Sequence, residues 1–238
     1  MKKKLILMGL AGVCVVTAIV GGTLASQNAS TKDTALAEIT TKELSIAIYS
    51  NDTDVSQNVQ NVQAKAILVP DKMLMPGTVI DEKNTYGINL PLYVVNDAAG
   101  GYDTYIKVHI YRTWLDENDK KLSELNMNAG AEDAGIVMAG WSDKWIYSAD
   151  ESTNEDIVLY YTEPVKAGDK TDDFLKSITV NENLGNNYAD KHVGFEVEAD
   201  AVQALPAEDN QVNADGIMSA WGMEVTFETG TNTIATIK

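Results

Sequence analysis

Two-residue alternation of apolar and polar side chains recurs along this chain and restricts it to sheet. Ile106, Val108 and Ile110 alternate with Lys107, His109 and Tyr111. Val193, Phe195, Val197 and Ala199 alternate with Gly194, Glu196, Glu198 and Asp200. Successive side chains of a strand point to opposite faces, so each run predicts one face on a core and one in water. That is the requirement of antiparallel sheets in a sandwich. Leu44, Ile46 and Ile48 repeat the pattern, as do Met223, Val225 and Phe227. A longer series runs through Tyr86, Ile88, Leu90, Leu92 and Val94, and shorter apolar runs at 136–139, 145–147 and 157–161 predict further strands.

Turn residues separate these runs, at Met75-Pro76-Gly77, at 96–101, at 116–119 and at Ala167-Gly168-Asp169. One segment predicts a helix, with Asn213 as its cap, Ile217, Ala220 and Trp221 on one face, and Gly222 as its stop. A further turn of helix is expected over Asp172–Lys176. No period of 20–50 residues is present. The chain therefore reads as all-β, an antiparallel β-sandwich of two sheets with one short helix near the C-terminus.

The first 25 residues do not belong to that domain. Lys2, Lys3 and Lys4 precede an apolar run from Leu5 to Val20, and Gly21-Gly22-Thr23-Leu24-Ala25 supplies the small residues a signal peptidase needs. Cleavage is expected between Ala25 and Ser26. The apolar run is shorter than the roughly 20 residues that span a bilayer. An uncleaved signal kept as an anchor is the alternative, and the only route expected to a membrane. Cys14, the single cysteine, lies within the apolar run and follows Val13, so it reads as part of the signal and not as a lipidation site. The exported chain then has no thiol, disulfide or thiolate metal site. Residues 26–39 are polar and read as a flexible segment ahead of a domain spanning 40–238.

Charge narrows the function. Removing the three signal lysines leaves 15 of the 18 basic residues against 35 acidic ones, a net charge near −20. Nucleic acid and anionic lipid are repelled at that charge. Arg112 is the only arginine, which limits bidentate recognition of phosphate or carboxylate. The only histidines, His109 and His192, belong to no H-E-x-x-H helix. No G-x-S-x-G elbow or glycine-rich phosphate loop appears, and no catalytic residue, metal or cofactor is expected. The acidic clusters 116–119 and 150–156 read as solvated loops, a weak calcium site being the alternative. The first begins like an EF-hand loop but has Lys121 and Met127 where glycine and glutamate are needed. Trp114, Trp141, Trp145 and Trp221 read as core and rim residues, with carbohydrate stacking as the alternative.

Several motifs, in order, resemble one family. The start ending Gly-Gly-Thr-Leu-Ala resembles signals processed by the SipW-type signal peptidase of Gram-positive bacteria. Met73-Leu74-Met75-Pro76-Gly77 leading to Tyr86–Asn96 is similar to an L-x-P-G turn before a strand ending at asparagine. Pro164–Lys170, followed by Phe174 and Ile178, resembles a P-L-x-P-G-x-x-T-x-x-L-F segment. Glu196–Ala204 followed by Ala220-Trp221-Gly222 is similar to a closing A-x-A-V-Q…A-W-G. The family is the TasA/camelysin group of exported biofilm-matrix proteins, and the resemblance spans most of the chain. It implies a jelly-roll sandwich and a secreted, non-enzymatic structural role in the extracellular matrix or at the cell surface. Its expected partners are the signal peptidase and further copies of itself, joined head to tail into fibres. In that arrangement residues 26–39 of one copy are donated as a strand to the next, by main-chain pairing at an open sheet edge. Family members often carry an aromatic pair after the cleavage site, where this chain has Ser26 and Gln27. The apolar side chains left for a donor strand are Ala29, Ala35, Leu36 and Ile39. The alternatives are a camelysin-like cell-surface metallopeptidase and a non-fibrous surface adhesin.

Overall fold

In the computed structural model, which describes residues 43–238 apart from 61, 117, 119, 126, 128–134 and 189–190, the two longest strands pair with each other. Strand β7 (Thr104–Leu115) and strand β12 (His192–Gln203) run antiparallel along their whole length, with Ile110 opposite Val197 and Tyr111 opposite Glu196. Outside β12 lie β4 (Gln63–Leu68) and β3 (Gln57–Gln60); outside β7 lie β10 (Asp156–Tyr161) and β9 (Trp145–Tyr147). All neighbours in this six-stranded sheet are antiparallel.

The facing layer consists of two three-stranded groups. β1 (Ile46–Ser50) lies between β2 (Thr53–Asp54) and β6 (Tyr93–Asn96), and β11 (Ser177–Val180) lies between β5 (Val79–Ile80) and β8 (Ile136–Ala139). The extended segment 169–175 joins them. Thr171 N–H donates to Val94 O, Phe174 N–H to Leu92 O and Leu92 N–H to Leu175 O, all at 2.9 Å. Here the expectation of a helical turn at Asp172–Lys176 is wrong. An open β6 edge takes these backbone groups, and an extended path buries Phe174 and Leu175 completely. Tertiary pairing overrides a weak local preference of this kind.

Inward-facing residues of both layers form one core: Ile46, Ile48, Val94, Ile178 and Met138 from one side, Ala64, Ala66, Ile110, Leu159 and Val197 from the other. The fold is an all-β antiparallel sandwich. The long series from Tyr86 is a strand only at its end. Gly87 has φ +75°, Asn84 holds the loop by donating to Ile88 O at 2.8 Å, and Pro91 has no N–H for a ladder. Ile88 and Leu90 are still buried, so the alternation reports burial without a strand.

The expected wet face of the six-stranded sheet is wet over only half its length. Over the other half, Tyr105, Val158 and Tyr160 pack beneath helix α1 (Asn210–Trp221) and the hairpin of β13 (Val225–Phe227) with β14 (Ile234–Ile237). Gly222 ends the helix as expected, at φ +73° with its N–H on Met218 O. Asn213 does not cap it. The helix begins at Asn210, and buried Asn213 instead clasps the preceding chain, accepting from Leu205 N–H at 2.8 Å and donating to Leu205 O at 3.0 Å. An asparagine satisfying a backbone pair looks the same in sequence whether that pair is its own helix start or a neighbouring segment.

Candidate functional site

The expected cleavage site at Ala25 and Ser26, and the expected donor residues Ala29, Ala35, Leu36 and Ile39, lie outside the described residues. The described domain contributes the other half of a strand-addition contact, which is a sheet edge. Strand β8 is outermost in its group and pairs with β11 through Val137, opposite Thr179, and through Gly135, whose carbonyl accepts from Asn181 at 2.9 Å. Antiparallel pairing turns every second residue outward, so Ile136 and Met138 direct their main-chain groups away from β11. The outer face of this group carries a cross-strand row of Val79, Thr179 and Val137; Val79 is 51% and Val137 37% exposed. Met75, in the turn before β5, is also exposed.

The edges at β2 and β3 are blunter, and those at β5 and β9 are only two and three residues long. β2 is two residues long and exposed. The pairing of β3 with β4 is irregular in register. An irregular or very short edge is a poor template for an added strand.

Arg112 positions β8. It faces the core from β7, is almost wholly buried, and donates from Nη1 to Ile136 O and from Nε to Asn154 O at 3.1 Å. Burial pulls its basicity below the ordinary arginine value. The only arginine of the chain thus recognises backbone carbonyls and ties the two sheets together. Sequence reasoning treated it as a scarce anion binder and missed this. A charged residue on the apolar parity of a strand, between Ile110 and Trp114, was the available signal.

The candidate chemical residues do not converge. His109 and His192 lie on adjacent strands, His109 opposite Glu198 and His192 opposite Leu115. Six residues of register separate them by roughly 20 Å, too far to share a metal. His109 Nδ1 lies 3.0 Å from Asp156 Oδ2, and its ring stacks on Tyr111. Among the described residues no group of three or more His, Cys, Asp or Glu side chains is placed to hold a metal ion. Asp116 Oδ1 accepts from the N–H groups of Asn118 and Lys120 at 2.8 and 2.9 Å, and these bonds hold its carboxyl below the ordinary range. In the 150–156 cluster three of the four carboxylates have different partners. Glu151 takes Lys107 at 2.9 Å and the Tyr160 hydroxyl, Glu155 takes Lys121, and Asp156 takes His109. Burial would raise Glu151, but its hydrogen bonds with Tyr160 and Lys107 hold it below the ordinary value. Trp114 and Trp145 are core residues, while Trp141 and Trp221 are partly exposed.

Comparison with family models, curated proteins and solved structures returns no match.

Proposed function

We propose that the chain is an exported structural protein of the extracellular matrix, whose copies join when the N-terminal segment of one pairs as a strand with the open β8 edge of the next. The observation that carries this reading is that edge. It couples the outward N–H and C=O of Met138 and the outward N–H of Ile136, whose carbonyl is held by Arg112, with the exposed apolar row Val79–Val137. Main-chain pairing supplies affinity in strand addition, and alternate side chains supply register. Residues 26–39 extend to at most about 45 Å, ample for an edge of four residues. The small donors Ala29 and Ala35 suit contact with a row of valines, and Leu36 and Ile39 add bulk. The export signal and the family resemblance of the sequence support the same reading, and the antiparallel sandwich is compatible with the jelly roll that the resemblance implies. A head-to-tail contact of this kind does not close on itself, and it generates a filament.

Protein recovered from the culture medium, examined by N-terminal sequencing and negative-stain electron microscopy, tests the proposal. Chains beginning at Ser26 that form fibres support it. Chains that stay monomeric across pH, salt and concentration, or whose fibres survive deletion of residues 26–39, refute it. Val137→Lys places a charge on the edge where it opposes an added strand. It is expected to block fibres while leaving the monomer folded.

A further inference from the structure

We propose that Trp141 and Tyr147 form a stacking platform for a neutral polysaccharide of gluco-configured pyranose units. This is independent of assembly through β8.

Tyr147 is the last residue of β9 and lies on the same face as Trp145, which is buried in the core. At the end of this edge strand the ring emerges, 48% exposed, the only aromatic among the large exposed apolar side chains of the described residues. Trp141 lies beside it. The ring planes are within 9° of parallel and the centroids are 6.4 Å apart. Rings in full face-to-face overlap would be closer, so the two are displaced sideways and together offer a surface longer than one ring.

The backbone holds this platform in place. Gly140 turns the chain out of β8 at φ +102°, and a Cβ there would lie 2.4 Å from Lys176 Cβ, so only glycine permits the turn that brings Trp141 to Tyr147. Ala139 O accepts from Lys176 N–H at 2.9 Å on one side of the turn, and Ser142 O accepts from Trp145 N–H at 3.1 Å on the other. A platform already ordered spends little conformational entropy on binding.

The surroundings select the ligand. An equatorially substituted pyranose presents a flat face of C–H bonds, slightly positive, that matches the negative face of an aromatic ring. The chain between the two rings carries exposed Asp143 and Lys144, which is half-exposed and paired with Glu163 at 2.7 Å, as the polar groups available to ligand hydroxyls. A net charge of −17 for the full chain repels polyanions at long range, which leaves an uncharged polymer. Two rings fringed by charge are also too small a patch for a stable protein interface.

The test is calorimetric titration, with tryptophan fluorescence in parallel, of protein recovered from the medium. Cellohexaose and chitohexaose are the neutral probes; hexagalacturonate and mannohexaose are the comparisons. Binding of at least one gluco-configured hexamer is expected, weakened about tenfold or more by Tyr147→Ala and by Trp141→Ala. Tyr147→Ala should leave the urea midpoint unchanged, because that ring is half exposed, and so separates lost binding from lost folding. No binding of either neutral hexamer, binding that survives both variants, or equal binding of hexagalacturonate would overturn the proposal. So would a change in the sedimentation of Tyr147→Ala, which would make the platform a contact between copies.

Discussion

Replacing Asn96 with aspartate changes one atom group at a fully buried position and should cost more than most core truncations. Asn96 is 0% exposed. Its Nδ2 donates to Tyr102 O at 2.8 Å and to Val165 O at 3.0 Å, closing the loop after β6 onto the turn that begins segment 165–175. Its Oδ1 has no hydrogen-bond partner. An ionised aspartate here sets both oxygens among acceptors without a donor. The folded chain escapes by keeping the carboxyl protonated, at about 1.4 kcal/mol for each pH unit above an unfolded pKa near 3.9. At pH 7 that is about 4 kcal/mol, and losing one of two donors to buried carbonyls adds about 1–2 kcal/mol. The sign follows from proton counting. The folded variant binds one more proton than the unfolded one, so its stability falls as pH rises above about 4, by about 1.4 kcal/mol per unit. Asn96→Ala loses both donors but brings no charge, so its cost of about 2–3 kcal/mol should be flat in pH. The assay is urea denaturation at about pH 5.5, 6.5 and 7.5, followed by tryptophan fluorescence, with wild type subtracted at each pH. A loss under about 1 kcal/mol for Asn96→Asp, or a difference from wild type flat in pH, would refute the view that a sealed amide joins these segments.

Three further outcomes follow from the same structure. Gly216→Ala in the middle of α1 should stabilise by about 0.5–1 kcal/mol, because Gly216 has an ordinary helical backbone and the new methyl would meet Val202 Cγ1 at 3.7 Å; a lower melting temperature would contradict this. Arg112→Met should destabilise by about 2–4 kcal/mol, by orphaning Ile136 O and Asn154 O, and hydrogen exchange should rise first at 136–139; uniform exchange would show that Arg112 does not hold β8. Glu198 is raised above the ordinary range by burial and by Glu196 and Asp200, against the pull of Lys65. Its folded form holds a proton more readily than its unfolded form, so wild type gains stability from this group as pH falls. Glu198→Gln should therefore be the more stable protein at pH 7, with the advantage shrinking on acidification; an advantage constant with pH would refute it.

Some strands were legible in sequence because a single physical rule wrote them. Val193–Ala199 and Ile106–Ile110 alternate between large apolar and polar side chains, and both became strands with the expected inward face. Strand β4 was missed because its inward residues include Ala64 and Ala66, which carry little of the β-branched or aromatic signal. The β1–β2 hairpin was missed at Asn51-Asp52, both at positive φ in a two-residue turn, a chemistry these residues favour. The β8 edge and its row of valines could not be read. Whether Val137 is exposed depends on β11 lying on one side of it and no described strand on the other.

Side-chain alternation, turn residues and charge are local properties, and by themselves they determined that this chain is an antiparallel sandwich with a short helix near its C-terminus. They also set its strong negative charge. The identity of each strand's neighbours is a long-range property. Lys107, His109 and Tyr111 share one parity, yet Lys107 is buried against Glu151 while His109 and Tyr111 remain partly open. The difference is made by the 148–152 loop and a helix and hairpin more than a hundred residues away in sequence. Burial is decided by what packs above a residue, and only the tertiary structure brings that partner to it.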